Sequence, residues 1–202
     1  RGGPVAPEAL GAVVFSARIA MRDFLETQRL RLRRLESDDL EAMFAYRNDP
    51  EVARYQTFRA RARDEIAEMI RAQADLQPGA PGTEYQFAIG LKADDILIGD
   101  VYFGVEPTGR QAEIGYTLAA EFQGHGYATE AVRGVLAYAF ERICLHRVTA
   151  GADPRNLPSL RLLERLGFRR EGYSPESYWD GEAWTDDVRY AMLAREWRAR
   201  PR

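Results

Sequence analysis

The chain has 202 residues, 46% of them apolar and 29% charged, enough for one domain with a substantial core. A formal net charge of −3 gives no basic field of the kind that gathers nucleic acid, so no nucleic-acid partner is expected. No apolar run approaches the ~18 residues of a membrane-spanning helix, and the single cysteine, Cys144, excludes an internal disulfide and fits a reducing, cytoplasmic setting.

Residues 1–24 are expected to form an N-terminal extension outside a domain of residues 25–202. Their short run "ALGAVVF" lacks a clear basic flank and reads only weakly as a secretory signal, and Met21 is a candidate natural start. "TQRLRLRRLE" (27–36) alternates leucine with basic residues at Leu30 and Leu32, then slips to Leu35, which predicts a half-buried strand. Ser37, Asp38 and Asp39 supply an N-cap and an acidic first turn for a helix to about Tyr46, broken at Pro50. A second helix is expected over 62–76, ending at the loop "QPGAPG". Strands follow at 84–92, 96–105 and 111–119, with the tight turns "ADD" and "EPTGR" between them, as an antiparallel meander.

The next helix, after Gly126, places Val132, Val135, Leu136, Ala139, Phe140 and Ile143 on one face. Cys144 closes that apolar pattern and is expected to be packed, as is Tyr138. "HRVTAGAD" (146–153) reads as a strand. A short helix over "PSLRLLERLG" (158–167) has Pro158 near its first turn and Gly167 in the C′ place. Two last strands, 168–174 and 186–196, are joined through "WDGEAW". The element order predicts a mixed α/β layer architecture around one core.

The segment "QGHGY" (123–127) puts two glycines between a strand and an amphipathic helix. Unpaired amides and the helix dipole make such a junction an anion site, suited to a pyrophosphate held by the amides of residues 124–129. The bland alternative is a connecting turn. A P-loop is excluded, because Gly-x-x-x-x-Gly-Lys-Ser/Thr is absent and Lys92 is the only lysine. A dinucleotide fingerprint is excluded too: Thr129 stands where the third glycine belongs, and the preceding strands form hairpins.

"IGYTLAAEFQGHGYATEAV" (114–132), followed by "NLPSLRLLERLGFRREGY" (156–173), resembles the GCN5-related N-acetyltransferase (GNAT) superfamily. With "LETQRLRLRRLESDDLEAMFAYRNDPEV" (25–52) and "WDGEAWTDDVRYAML" (179–193), it is similar to the branch of ribosomal-protein N-terminal acetyltransferases. The resemblance implies a GNAT-like fold, with a central, mostly antiparallel sheet splayed in the middle and flanked by about four helices. It also implies acetyl-CoA as donor, an amine as acceptor and no metal, and it leaves a homodimer open.

The family motif Gln-x-x-Gly-x-Ala/Gly falls on Gln123, Gly126 and Ala128, so Gln123, Gly124, His125, Gly126, Tyr127, Ala128 and Thr129 are the implied pyrophosphate loop. Thr117 and Leu118, at the end of the splayed strand, are implied to face the thioester, where a backbone N–H would meet its carbonyl. Asn156 is implied to contact the pantetheine arm, and Ser159 to stand near the sulfur as a proton donor to the departing thiolate. On their own, without the resemblance, these two residues read first as a turn or cap residue before Pro158 and a helix-start residue.

Acetyl transfer also needs a base to deprotonate the ammonium. Glu113, on the same strand face as Gly115 and Thr117, is the candidate, with Glu84 behind it; a solvated edge carboxylate is the alternative for Glu113. His125 occupies a variable slot of the loop and is expected on the surface or facing phosphate, and His146 is expected to be structural. The acid-rich "ESYWDGEAWTDD" (176–187), interleaved with Trp179 and Trp184, predicts a rim that attracts a cationic amine. The expected reaction is acetyl transfer to a protein or peptide N-terminal amine. A small-molecule N-acetyltransferase (polyamine, amino acid, aminoglycoside or toxin) and a non-catalytic acyl-CoA sensor are the alternatives.

Overall fold

The apolar–basic alternation around residues 27–36 forms two strands rather than one. β1 (Asp23–Glu26) and β2 (Leu30–Arg34) are antiparallel and joined by a tight turn in which the Thr27 amide donates to the Leu30 carbonyl. These assignments come from a computed structural model, which describes residues 23–56, 62–180 and 183–200. Leu30, Leu32 and Leu35 are buried as the alternation predicts. Arg33 departs from the pattern, because it too is buried and forks both guanidinium nitrogens onto Asp39 at 2.6 and 2.8 Å. That bidentate pair fixes the entry of the following helix on the sheet. Ser37–Asp39 is accordingly a 3₁₀ turn, in which Asp39 accepts from the Glu36 amide at 2.8 Å, and the α-helix α1 starts after it at Leu40–Asn48.

α2 (Pro50–Ala53) and α3 (Arg63–Ala72) precede the meander of β3 (Glu84–Leu91), β4 (Leu97–Val105) and β5 (Gln111–Leu118). Then come α4 (Tyr127–Ala137), β6 (Arg147–Ala152), α5 (Leu157–Arg165), β7 (Arg169–Trp179), β8 (Trp184–Leu193) and α6 (Ala194–Arg198). The eight strands make one sheet in the order β1-β2-β3-β4-β5-β6-β8-β7. Neighbours pair antiparallel except β5 with β6, which run parallel. The β7–β8 ladder reaches Trp179 opposite Trp184, so the last hairpin is longer than its turn-rich sequence suggests. β1 and α6 were not expected from the sequence pattern.

The pairing of β5 with β6 covers only Gln111 to Glu113 against Arg147 to Thr149. Beyond that point the two strands part, and the β6-facing edge of Ile114–Leu118 has no strand partner among the described residues. α4 covers the core on one face: Val132, Val135, Leu136, Ala139 and Phe140 are each at most 1% exposed. Burying aliphatic side chains of this size is worth about 1.5–3 kcal/mol each, which is why the helix stays on the sheet.

The predicted face fails at its last member. The helix widens into a π-turn at Tyr138–Arg142, where the Ile143 amide reaches the Tyr138 carbonyl at 3.1 Å. The extra residue shifts the phase, so Ile143 is only half-buried. Cys144 takes a left-handed conformation (φ 57°) and is exposed, contrary to the packed position expected for it. Leu145 fills the core instead, at 2% exposure.

Between α1 and the meander lies a buried ion pair. Asp100 on β4 accepts from Arg47 Nη2 and from Tyr46 Oη, both at 2.6 Å, and from Gln86 Nε2 at 3.3 Å. Arg47 and Asp100 are 4% and 1% exposed. Removing one partner of such a pair leaves a buried charge with no counter-ion. Arg47→Met is therefore expected to destabilise the fold by about 3–5 kcal/mol in denaturant unfolding. Arg47→Met combined with Asp100→Leu should recover part of that loss.

Candidate active site

The two glycines of the 123–127 segment both need the left-handed region: φ is 78° at Gly124 and 81° at Gly126. Other residues enter that region only with strain. Gly126 is the N-cap of α4, and the amides of Tyr127, Ala128 and Thr129 begin the helix with no carbonyl one turn behind them. A Cβ at Gly124 would meet nothing within 4 Å, so the outer side of the loop is open. Gln123 ties the loop to the end of β5 through Nε2 to the Leu118 carbonyl at 3.1 Å. The exposed His125 ring stacks on Tyr127 at 5.9 Å.

A clamp from the far end of the chain holds this junction. Glu130, in the first turn of α4, accepts from Thr27 Oγ1 at 2.6 Å, the Arg29 amide at 2.7 Å and Arg29 Nε at 2.7 Å. Arg29 Nη1 continues to the His125 carbonyl at 3.0 Å, and the guanidinium lies over the Tyr127 ring, 4.4 Å from its centroid. Burial alone would raise the Glu130 carboxyl, but the hydrogen bonds from Thr27 and Arg29 outweigh it and hold it below the usual value of 4.5. The clamp therefore acts at full strength above that value and is lost as pH falls through the depressed folded one. The fit to a pyrophosphate is good: open amides, a helix N-terminus and a neighbouring guanidinium.

Where β5 and β6 part, the site gains its second half. Tyr116 Oη is 2.8 Å from Ser159 Oγ and 3.3 Å from the Ser159 carbonyl oxygen. Ser159 lies in the first turn of α5, and its amide donates to Asn156 Oδ1 at 3.2 Å. Asn156 is thus the helix N-cap, the structural reading available from sequence. Burial pushes the Tyr116 phenol up to about 12, the Ser159 hydrogen bond works against that, and the nearby Tyr190 phenol adds to it. Thr117 is buried, with Oγ1 donating to Gln56 Oε1 at 3.1 Å, and Leu118 is 7% exposed.

A cleft of about 910 Å³ opens on this point and is lined by Glu113, Tyr116, Thr117, Asn156 and Ser159 among others. Residues 123–129 do not line it. Eight of the lining residues are carboxylates, against four arginines, Arg47, Arg54, Arg155 and Arg189. Glu113 is half-exposed and paired with Arg189 Nη1 at 3.3 Å. Glu84 also lines the cleft and is hydrogen-bonded to Tyr102.

Of the acidic rim expected at 176–187, Asp180, Asp186 and Asp187 line the cleft, whereas Glu176 does not. Glu182 lies outside the described residues. The Tyr173 hydroxyl and the Glu176 amide hold the Asp186 carboxyl below its usual range. The two tryptophans pack on each other across the hairpin tip, 51% and 60% exposed with ring centroids 5.6 Å apart, and do not line the cleft. Its aromatic surface comes from tyrosines instead, Tyr55, Tyr102 and Tyr178 among them. Among the described residues, no group of His, Cys, Asp and Glu is placed to hold a metal ion, and no helix is long and apolar enough to cross a membrane.

Residues 29–169 match the family model described as an acetyltransferase (GNAT) domain. The chain belongs to the GNAT family. The uncharacterized N-acetyltransferase YnaD of Bacillus subtilis is 31% identical over 173 residues, covering 86% of this chain and 98% of the relative. The [ribosomal protein uS5]-alanine N-acetyltransferase of Escherichia coli is 29% identical over 118 residues, 57% of this chain and 61% of the relative. The crystal structure of spermidine N-acetyltransferase from Vibrio cholerae, in complex with CoA and spermine, superposes with a TM-score of 0.73 at 25% identity, over 83% of this chain and 97% of that one. The chain is thus a GNAT acyltransferase that uses acetyl-CoA and acetylates an amine.

Within this GNAT domain, sequence reasoning missed Thr27, Arg29 and Glu130, because a clamp across about a hundred residues leaves no local pattern. It also missed the Tyr116 hydroxyl, because period-2 alternation assigns that side chain to the core face. A β-branched residue at Gly126 would have to hold a left-handed backbone at a cost of about 1–3 kcal/mol. Gly126→Val is expected to weaken acetyl-CoA binding about tenfold or more in calorimetric titration while far-ultraviolet circular dichroism stays unchanged. Equal affinity would remove the loop from the binding site.

Proposed function

We propose that this GNAT enzyme acetylates the N-terminal amine of a protein or peptide by direct attack of the amine on acetyl-CoA, in the cytoplasm. The observation that supports the reading is the parting of β5 and β6, which leaves the β6-facing edge of Ile114–Leu118 without a strand partner among the described residues, next to the Ser159 hydroxyl, while the amides at the start of α4 follow directly after β5 in the chain. Bound acetyl-CoA supplies an activated acetyl group whose leaving thiol is a mild base, with a free pKa near ~8.5. In this reading the amides of 124–129 hold the pyrophosphate, with Gln123 fixing the loop and Ala128 keeping its inner side small. Asn156 both caps α5 and faces the pantetheine arm.

The Leu118 N–H, on the side of β5 turned away from β4, polarises the thioester carbonyl, with Thr117 beside it. Ser159 Oγ donates to the sulfur as the C–S bond breaks and the N–C bond forms. Glu113 takes the ammonium proton, directly or through water, and its pairing with Arg189 keeps it oriented across the cleft. The similarity to a uS5-alanine N-acetyltransferase supports a peptide acceptor. A second reading, a polyamine acceptor, is supported by the two-to-one excess of carboxylates over arginines in the cleft and by the likeness to a spermidine acetyltransferase.

The test measures release of CoA thiol with three acceptors: a short peptide with a free N-terminus, the same peptide blocked at its N-terminus, and spermidine. Turnover of the free peptide alone supports the first reading. Turnover of spermidine alone replaces it with the second, and acetyl-CoA binding without turnover of any acceptor defeats both. Ser159→Ala should lower kcat on the order of 10²-fold with little change in KM for acetyl-CoA; an unchanged kcat would assign the thiolate to water or another group. A cationic acceptor gathered by the field of the cleft should lose kcat/KM as salt rises. Asp180→Asn with Glu65→Gln should raise KM and flatten that dependence, whereas an unchanged salt response would remove the field from acceptor capture.

A further inference from the structure

The Tyr116–Ser159 pair does more than fill space. By alternation Tyr116 follows Ala112 and Ile114 on the core side of β5, and its ring packs against the core. Its hydroxyl ends 2.8 Å from Ser159 Oγ, on a different element, three residues past the last β5–β6 pair. Ser159 is itself held from behind, its amide bonded to Asn156 Oδ1 at 3.2 Å. The Ser159 carbonyl oxygen, at 3.3 Å, competes for the single phenol proton, and Ser159 Oγ, at 2.8 Å, is the nearer acceptor of the two.

We propose that Tyr116 is a positioning residue that donates to Ser159 Oγ and so turns the serine proton toward the sulfur of the acyl donor. A serine hydroxyl has one proton and two acceptor positions. If Ser159 donated to Tyr116, no proton would be left for the sulfur. With the phenol as donor, one acceptor position of Ser159 is filled and its proton is free to point into the cleft. The phenol is the more acidic of the two hydroxyls and keeps its proton wherever an amine can attack, so its donor role does not titrate in that range.

The same comparison decides what the pair does. A phenol held at about 12 does not surrender its proton to a thiolate whose free value is near ~8.5. The C–S bond therefore breaks with the electron pair going to sulfur, which is held by a hydrogen bond from Ser159 that Tyr116 strengthens, with no net proton transfer from either hydroxyl. The thiolate takes its proton later from solvent, and the ammonium proton leaves by the separate route through the base.

This inference rests on the reading that Ser159 faces the sulfur, and one measurement separates the two. Free CoA binds without any acceptor, and the ultraviolet absorbance of its thiolate, followed against pH, gives the thiol pKa in the complex. In the wild type it should lie below ~8.5 by about one unit, the scale of a hydrogen bond to a charged atom. Tyr116→Phe should return most of that shift, Ser159→Ala all of it, and the double variant no more than Ser159→Ala. Ser159→Thr, which keeps the hydroxyl, should behave like the wild type.

Calorimetric affinity for CoA and circular dichroism establish that each variant is folded and loaded. A wild-type thiol pKa in Tyr116→Phe, with a shifted one in Ser159→Ala, overturns the role of Tyr116 and leaves that of Ser159 standing. An additive double variant also overturns it, since Tyr116 would then act apart from Ser159. A wild-type value in Ser159→Ala overturns the reading of Ser159 itself.

Discussion

The site depends on one geometric constraint: two parallel strands that hydrogen-bond for three residues and then diverge. Between Gln111 and Glu113, β5 and β6 form an ordinary ladder; beyond it, the main chain of Ile114–Leu118 keeps β4 on one side and, among the described residues, has no strand on the other. A strand edge inside a sheet is costly unless something pairs with it, because unpaired amide and carbonyl groups lose their water without compensation. In the proposed reading the extended arm of the acyl donor takes the place of a strand there. Past the same divergence the Tyr116 hydroxyl meets the first turn of α5.

Divergence must be held open, and both ends of the chain contribute. On one side, α4 is seated on the sheet by a fully buried apolar face, and its N-terminus is bound to the β1–β2 turn through Glu130. That link also sets the loop, since Arg29 holds the His125 carbonyl and covers Tyr127. On the other side, β8 pairs with β6 over six residues and keeps it from following β5. The Arg47–Asp100 pair anchors α1 to β4 beneath the cleft. A buried pair of this kind adds little net stability compared with apolar packing. Its value here is placement, because it brings α1 and the segment carrying Gln56 next to Thr117.

The glycine junction and the cleft present opposite chemistry. Outside the cleft, at the start of α4, the chain offers backbone N–H groups and Arg29, a setting for phosphate in the proposed reading. Toward the β7–β8 hairpin it offers carboxylates and tyrosines, a setting for an ammonium. An enzyme that joins an anionic donor to an amine needs the two substrates to enter from different sides, and this charge separation provides for it. Several of the acids are already engaged within the protein. Asp153 is tied to Arg155, Asp187 to Arg189, and Asp186 to Tyr173 and the Glu176 amide, so their effect on a substrate is a field rather than a set of individual contacts.

Much of this was legible in the sequence, because it is written in local pattern. Alternation placed Leu30 and Leu32, the 3.6-residue period gave the buried face of α4, and the glycine pair at 124 and 126 announced a left-handed junction that only glycine enters at low cost. The segments around 114–132 and 156–173 carried the family. Local pattern could not show the π-turn that turned Cys144 outward, nor that Arg33 is buried against Asp39, since each depends on what packs against the element. Nor could it place the tryptophans of the last hairpin, which pair with each other because the ladder runs on to Trp179 and Trp184. The clamp of Thr27, Arg29 and Glu130 and the pairing of Tyr116 with Ser159 join residues distant in the chain. Such contacts were decided by tertiary structure alone, because a hydrogen bond needs its two atoms about 3 Å apart and the order of residues does not fix that distance.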